Sequence, residues 1–477
     1  MTNWILAGLL LLECTVTHAA ATLSLAPCEL AGLSQPARCG ALDVPENPDR
    51  PDGRHLAIKV AVIPALSPAP LPDPIVVLMG GPGEDAISSA ADFAQQFSSL
   101  RQQRDLLLVD QRGTGRSGSL HCDLYSPDNP AASLRDVFPV TAVKSCAQQS
   151  RRRVDLTQYS YLNFANDLEQ VRVALGYGPL NLFSASYGTR AAQVFVRSHP
   201  DSVRTVYFSS VVPIDVAIPG PFAATAQKAL NDTIDACLAD SDCKAAFPQL
   251  RAEFAAVVAR LQSGQVRTAI PGSTDAAVLD RGRVAEWLRS KLYRPAGAAS
   301  VPWLIHQAYT GNWQPIVEGI LAGAQEADTD LSFGLFFSIT CSDDVAFVRD
   351  SPVGAEDRAT FLGDYRIRQQ KAACRVWPKG PVPKNYRTPI QSSVPAVFAS
   401  GDADGGTPMW FMEHASTGFS NHVAITQRGQ GHTQWSDCVG TIYEQLVRNG
   451  SIQGLHTSSC EPIPRPPFQI TSSSRQP

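Results

Sequence analysis

Apolar residues follow two rhythms along this chain. Up to residue 212, short runs rich in Val, Ile and Leu alternate with a helical period: residues 55–64, Pro74 to Met79 and 106–109 read as strands, 164–176 as an amphipathic helix, then Leu180-Asn181-Leu182-Phe183 and 203–208 as strands again. Unbroken apolar runs of this length suit strands buried on both faces, and their alternation with helix predicts a mostly parallel sheet. From 213 to 391 the rhythm changes. Residues 222–239, 250–262 and 283–292 have helical periodicity without a succession of strands. The strand pattern resumes at Val394, recurs at His422 to Thr426, and gives way to a helix over 439–448. The expected class is α/β, with a helical cap (213–391) inserted between two parts of a sheet-bearing core (22–212 and 392–461). A proline- and serine-rich tail follows (462–477), expected to be extended or disordered. There are no internal repeats.

The strand ends carry the chemistry. Leu180 to Phe183 runs into Ser184-Ala185-Ser186-Tyr187-Gly188 and then a helix-like stretch. A strand turning sharply into a helix strains its turn residue and lifts that side chain clear of the sheet, which singles out Ser186 as a nucleophile. Ser184 occupies the place where a first glycine is usual. Pro74 to Met79 ends in Gly80-Gly81-Pro82-Gly83, whose bare backbone can approach a substrate and aim an N–H at a developing oxyanion, with the Tyr187 amide as second donor. No Gly-Lys-Ser/Thr follows, so a phosphate cradle is unsupported. The strand from Val394 leads into Gly401-Asp402-Ala403-Asp404, which offers an acid. Asp404 is preferred because it lies three residues past the strand-ending Gly401, and Asp402 is then a loop-stabilising residue. The strand from His422 leads into Gly429-Gln430-Gly431-His432, which offers a base. Ser, then Asp, then His is the chain order of α/β-hydrolases.

These segments together resemble the secreted prolyl/tripeptidyl aminopeptidase family of α/β-hydrolase serine peptidases. The resemblance rests on Gly80-Gly81-Pro82-Gly83, Asp110-Gln111-Arg112-Gly113-Thr114-Gly115-Arg116-Ser117, Leu168 to Arg172 with Ala174 to Tyr177, Ser186 to Arg190, and Gly431-His432 followed by Cys438. It implies an α/β-hydrolase fold with Ser186 as nucleophile, Asp404 as orienting acid, His432 as general base, and the amides of Gly81 and Tyr187 as oxyanion donors. Two departures lie beside the turn: Ser184 for glycine, and Phe208-Ser209-Ser210 where Leu-Asp-Gly is common. Within the cap, Asp343 and Asp344 follow Cys341 and are candidates to bind a substrate's free α-ammonium, a reading that the family's Cys-x-Asp/Glu element supports. Glu84, after the glycine turn, is a second candidate. A solvated acidic loop or helix cap is the plainer account of the Asp pair.

Composition narrows the setting. The net charge of −4 with dispersed signs gives no basic patch for nucleic acid and no polybasic anchor, in 477 residues. Trp4 to Leu12 is too short to span a bilayer and precedes Ala19-Ala20-Ala21, a pattern expected of a signal peptide over 1–21 and hence of a secreted or periplasmic protein without stable membrane insertion. Cleavage would also remove Cys14 and leave ten of eleven cysteines, an even number that suits an oxidising compartment. Nearest-neighbour pairing would join 28 with 39, 122 with 146, 237 with 243, 341 with 374 and 438 with 460. No Cys-x-x-Cys or His-Glu-x-x-His spacing is present, so neither metal nor cofactor is expected. The sequence thus points to a serine hydrolase, an aminopeptidase acting on peptides by a Ser-His-Asp acyl-enzyme route. A carboxylesterase using the same three residues is the alternative, and a non-catalytic binding protein of the same fold is disfavoured. Nothing in the sequence sets the oligomeric state.

Overall fold

The computed structural model describes residues 23–126, 129–272, 276–348, 358–455, 457 and 460–471. The expected leader at 1–21 lies outside them. Nine strands form one sheet: β1 (Ala26–Cys28), β2 (Ala37–Pro45), β3 (His55–Ile63), β4 (Leu71–Leu78), β5 (Arg104–Val109), β6 (Leu180–Ala185), β7 (Val203–Ser209), β10 (Ala396–Gly401) and β11 (His422–Gln427). A separate hairpin of three-residue strands, β8 (Arg267–Ala269) and β9 (Ala276–Val278), lies in the helical segment, where no strands were expected. The sheet order is β1-β2-β3-β5-β4-β6-β7-β10-β11. The six strands from β5 to β11 are parallel to one another, and β1 to β3 add an antiparallel edge. This is the α/β-hydrolase fold, with a mostly parallel central sheet.

The continuous apolar runs have their expected cause. Alternate residues of each central strand enter different clusters. Val76, Leu107, Leu182, Val206 and Phe398 pack on one face, and Val77, Leu108, Phe183, Tyr207 and Val397 on the other. Burying each such side chain stabilises the fold by about 1.5–3 kcal/mol, which fixes the register, since a one-residue slip would exchange the faces. The carboxyl ends of β4, β6, β10 and β11 therefore reach one edge of the sheet with their following loops side by side.

Between β7 and β10 the chain is helical, and helices span Phe222–Ala239, Leu250–Gln262 and Arg281–Lys291. The segment has an apolar cluster of its own that includes Val257, Leu261, Trp287, Trp313 and Ile320. Five disulfides join Cys28–Cys39, Cys122–Cys146, Cys237–Cys243, Cys341–Cys374 and Cys438–Cys460. Such cross-links fit a chain that folds outside a reducing cytoplasm. Residues 462–471 have no helix or strand but are docked: Ile463 N–H donates to Arg428 O, Gln469 N–H to Ala299 O, and Phe468 is buried. Among the described residues no helix is long and apolar enough to cross a membrane.

Candidate active site

The turn after β6 has the strain its sequence implies. Ser186 sits at φ +52°, a left-handed conformation uncommon for a residue with a Cβ, and the helix Gly188–Ser198 starts two residues later. Ser186 N–H donates to Ser209 O at 3.0 Å, tying the turn to β7. A Cβ on Gly188 would stand 2.1 Å from Leu78 O, so only glycine lets the helix pass β4 this closely. Ser184 needs no such freedom. It is the fifth residue of β6, fully buried, and its hydroxyl donates to Tyr207 O at 2.7 Å. Ser210, at φ +52°, stands where glycine would be unstrained, and its Oγ accepts from Thr433 N–H at 2.8 Å. That bond ties the end of β7 to the loop carrying His432.

The loops after β10 and β11 bring the acid and the base to Ser186. His432 Nε2 lies 2.9 Å from Ser186 Oγ, and Nδ1 lies 2.8 Å from Asp404 Oδ2. His432 Coulombically and through its hydrogen bond, together with hydrogen bonds from Thr407, holds the buried Asp404 below the usual carboxylate range against the opposing cost of burial. The carboxylate can only accept, so Nδ1 carries the proton and Nε2 is left to accept from the serine hydroxyl. Asp404 Oδ1 accepts from the amides of Gly406 and Thr407 at 2.7 and 2.9 Å, and Oδ2 from the Thr407 hydroxyl at 2.6 Å. Asp402 is exposed and faces away, accepting from Gly429 N–H at 2.8 Å.

Sequence reasoning gave no role to three supporting residues. Thr407 anchors Asp404 and lies 3.2 Å from His432 Nδ1. Tyr293, from the helical segment, accepts His432 N–H on its carbonyl at 2.6 Å and packs its ring 5.0 Å from the imidazole. Ser210 braces Thr433. A Gly-Thr pair after an aspartate could have suggested Thr407. The other two are set by long-range packing alone.

The site opens into a cavity of about 530 Å³ lined by Ser186, His432, Gly81 and Glu84 from the core and by Phe222, Arg289, Arg294 and Arg366 from the helical segment. The glycine turn presses on the elbow: a Cβ on Gly80 would come 3.1 Å from Ser186 Cβ and 3.6 Å from Tyr187 N. Gly81 has φ +99°. Among the described residues the Gly81 and Tyr187 amides have no intramolecular acceptor. The carboxyl of Glu84 is pushed up by burial, against the Gly80 amide and His432. Asp110, buried under this turn, accepts from the amides of Ala86, Ile87 and Arg116, and Arg112 forms a two-point ion pair with Asp167, so both brace loops.

Asp343 and Asp344 correct the expectation made for them. Neither lines the cavity, and they are only 2% and 0% exposed. Asp344 accepts from Arg190 Nη1 at 2.6 Å, from Ile218 N–H and from the Tyr187 hydroxyl. Asp343 accepts from the Tyr386 hydroxyl at 2.7 Å. Both are buried behind the elbow helix, away from the cavity that Ser186 faces. Of the candidate amine-binding acids, only Glu84 faces the cavity. Among the described residues, no cluster of three His, Cys, Asp or Glu side chains could hold a metal ion.

Two family models match the chain: the alpha/beta hydrolase fold over residues 73–234 and TAP-like protein over 359–460. Both matches, with the relatives below, support the resemblance of this chain to the prolyl/tripeptidyl aminopeptidase family of α/β-hydrolases. Its fold and relatives make it a serine hydrolase. It is 25% identical to the serine protease Hip1 of Mycobacterium tuberculosis over 414 residues, 78% of this chain and 77% of Hip1. It is 22% identical to tripeptidyl aminopeptidase of Streptomyces lividans over 437 residues, 84% and 78% of the two chains. The match to the YuaR protein of Escherichia coli K12 is 25% over 183 residues, covering 37% of this chain and only 36% of that protein.

Proposed function

We propose that this chain is an exported aminopeptidase that releases N-terminal residues or short peptides. The observation that carries the reading is the relay from Asp404 through His432 to Ser186, at 2.8 and 2.9 Å, opening into a cavity whose lining among the described residues has one carboxylate, Glu84. Ser186 Oγ attacks the scissile carbonyl while His432 Nε2 takes its proton. The oxyanion forms against the Gly81 and Tyr187 amides. His432 then protonates the leaving amine and activates the water that frees the acyl-enzyme. Residues 213–391 act as a cap that limits access to chain ends and excludes bulk water. Glu84 binds the α-ammonium, whose charge draws the raised carboxyl back to its ionised form. The two matched family segments, the activity named for the tripeptidyl relative, the signal-like pattern over 1–21 and the five disulfides support this reading.

The test sets matched peptide anilides with free and acetylated amino ends beside short-chain nitrophenyl esters. Free-amine peptides should be the best substrates, and Glu84→Gln should lower their kcat/KM by roughly thirty-fold or more, because a shielded ammonium loses its only counter-charge. Equal cleavage of free and acetylated peptides, with esters faster than both, would replace the aminopeptidase by the carboxylesterase. Failure of a phosphonate to label Ser186 would leave a binding protein.

A further inference from the structure

The cavity wall opposite in charge to Glu84 is unusual in its balance. Arg289 and Arg366 both line it, and both pair with one carboxylate, Glu286, at 2.6 and 2.5 Å. Among the described residues no second carboxylate pairs with either arginine, so two guanidinium charges share one negative charge. Both are held rigidly. Arg289 Cζ lies 4.3 Å over the Phe222 ring, and Arg366 Cζ lies 4.9 Å over Phe138 and 5.7 Å over Phe222. Arg289 spends its nitrogens on Glu286 and on the Tyr293 hydroxyl. Arg366 gives Nη1 to Glu286 and Nε to Gln370 Oε1, and its Nη2 has no acceptor among the described residues. The Arg366 side chain remains 13% exposed, on a residue that lines the cavity. A planar donor with a free edge and an uncompensated charge, shielded from bulk water, is suited to a carboxylate.

We propose that this wall binds a carboxylate of the substrate at Arg366, with Arg289 behind it, so that the preferred substrates are short peptides carrying an anion a few residues from the scissile bond. The spacing follows from the chain of contacts to the catalytic centre. Arg289 Cζ lies 5.0 Å from the Tyr293 ring, and that ring lies 5.0 Å from the His432 ring. These two steps put Arg289 Cζ within about 10 Å of the His432 ring, a few residues of extended peptide at about 3.3–3.6 Å each, and Arg366 shares the Phe222 ring with Arg289. The carboxylate could come from an Asp or Glu side chain or from the free α-carboxylate of a short peptide. The inference deepens the aminopeptidase reading and rests on it for the word peptide.

Four peptides of one length test it, all with free amines. One pair ends in a carboxylate or a carboxamide, and the other pair carries Glu or Gln in the third position with an amidated end. Each is measured twice: as kcat/KM with the wild type, and as Kd by calorimetry with Ser186→Ala, which reports binding whether or not the peptide is cleaved. At least one anionic member should exceed its neutral partner by about ten-fold or more in both readouts, and the responding pair identifies the source of the carboxylate. In Arg366→Gln that ratio should fall to about two-fold or less, whereas Arg366→Lys should keep part of it as a point charge. Circular dichroism and a melting curve establish that each variant is folded, and the charge-retaining lysine variant carries the test if glutamine does not fold. Ratios near one in both pairs of the wild type, or a preference that survives in folded Arg366→Gln, would overturn the proposal. Anion-selective binding without cleavage of any peptide would leave this site standing and remove the aminopeptidase reading instead.

Discussion

Asp404 shows how much a single residue depends on partners close in sequence. All four of its acceptor contacts come from Gly406, Thr407 and His432, so the acid is held by its own loop and by the base it orients. Asp404→Asn should lower kcat by roughly four orders of magnitude by offering His432 the wrong partner. Thr407→Val removes one hydroxyl contact but keeps the carboxylate, and should cost about ten-fold. Asp402→Asn should change the melting temperature more than kcat. Steady-state kinetics on the three folded variants decides the ranking, and equal losses at 402 and 404 would undo it. Local spacing made Asp404 legible. The same reasoning misled at Asp343 and Asp344, because their partners Arg190 and Tyr386 are 154 and 43 residues away and a sequence does not show that an acid is buried against such distant groups.

Elements were most legible where one physical pattern repeats over several turns or strands. The periodicity over 222–239 and 250–262 gives helices with those bounds, and the runs at 55–64 and 203–208 give β3 and β7 to within a residue. Three-residue strands such as β8 and β9 are too short for alternation to register. The elbow was legible because its small residues report close backbone approach, although the two glycine positions are not equivalent. Ser184 replaces one at no visible cost by pointing its hydroxyl across to β7. Gly188 has no such latitude, since the atom its Cβ would meet is the carbonyl oxygen of Leu78, the last residue of β4, which is held against Ser184 of β6 in the central sheet. Gly188→Ala should destabilise the protein by about 3 kcal/mol or more and lower its melting temperature accordingly, whereas Gly176→Ala, at φ +71° in open space, should cost about 1 kcal/mol. Comparable denaturant midpoints for the two variants would contradict the packing argument.

At the scale of the whole molecule, the helical segment and the core are joined by charge as well as by apolar contact, and that junction should make stability depend on pH. Asp343 and Asp344 end the helix Phe333–Asp343, whereas Arg190 and Tyr187 belong to the elbow, so the two parts meet at a buried ion pair directly behind Ser186. Asp343 faces the Tyr386 hydroxyl, with Asp344, Arg190 and Arg387 as its charged neighbours. Burial pushes its carboxyl up to about 7, the neighbouring Asp344 adds to the rise, and Tyr386 and the arginines oppose it. In the unfolded chain the same group titrates near 3.9. Between those values the folded state holds a proton that the unfolded state has released, so the unfolding free energy falls as pH rises through the window and levels off above about 7. From pH 5 to pH 8 this group alone should remove about 2–3 kcal/mol. Asp110, raised to about 6 by burial, and Glu84 push the same way, so the slope belongs to Asp343 only by difference. Asp343→Asn keeps the size and a neutral group, and it should flatten that part of the slope, leaving the variant more favoured relative to the wild type at pH 8 than at pH 5. Urea denaturation of both proteins at pH 5, 6, 7 and 8 measures this. Parallel curves across the range would show that Asp343 is ionised in the folded protein throughout, held by Arg190 and Arg387 more strongly than burial opposes it.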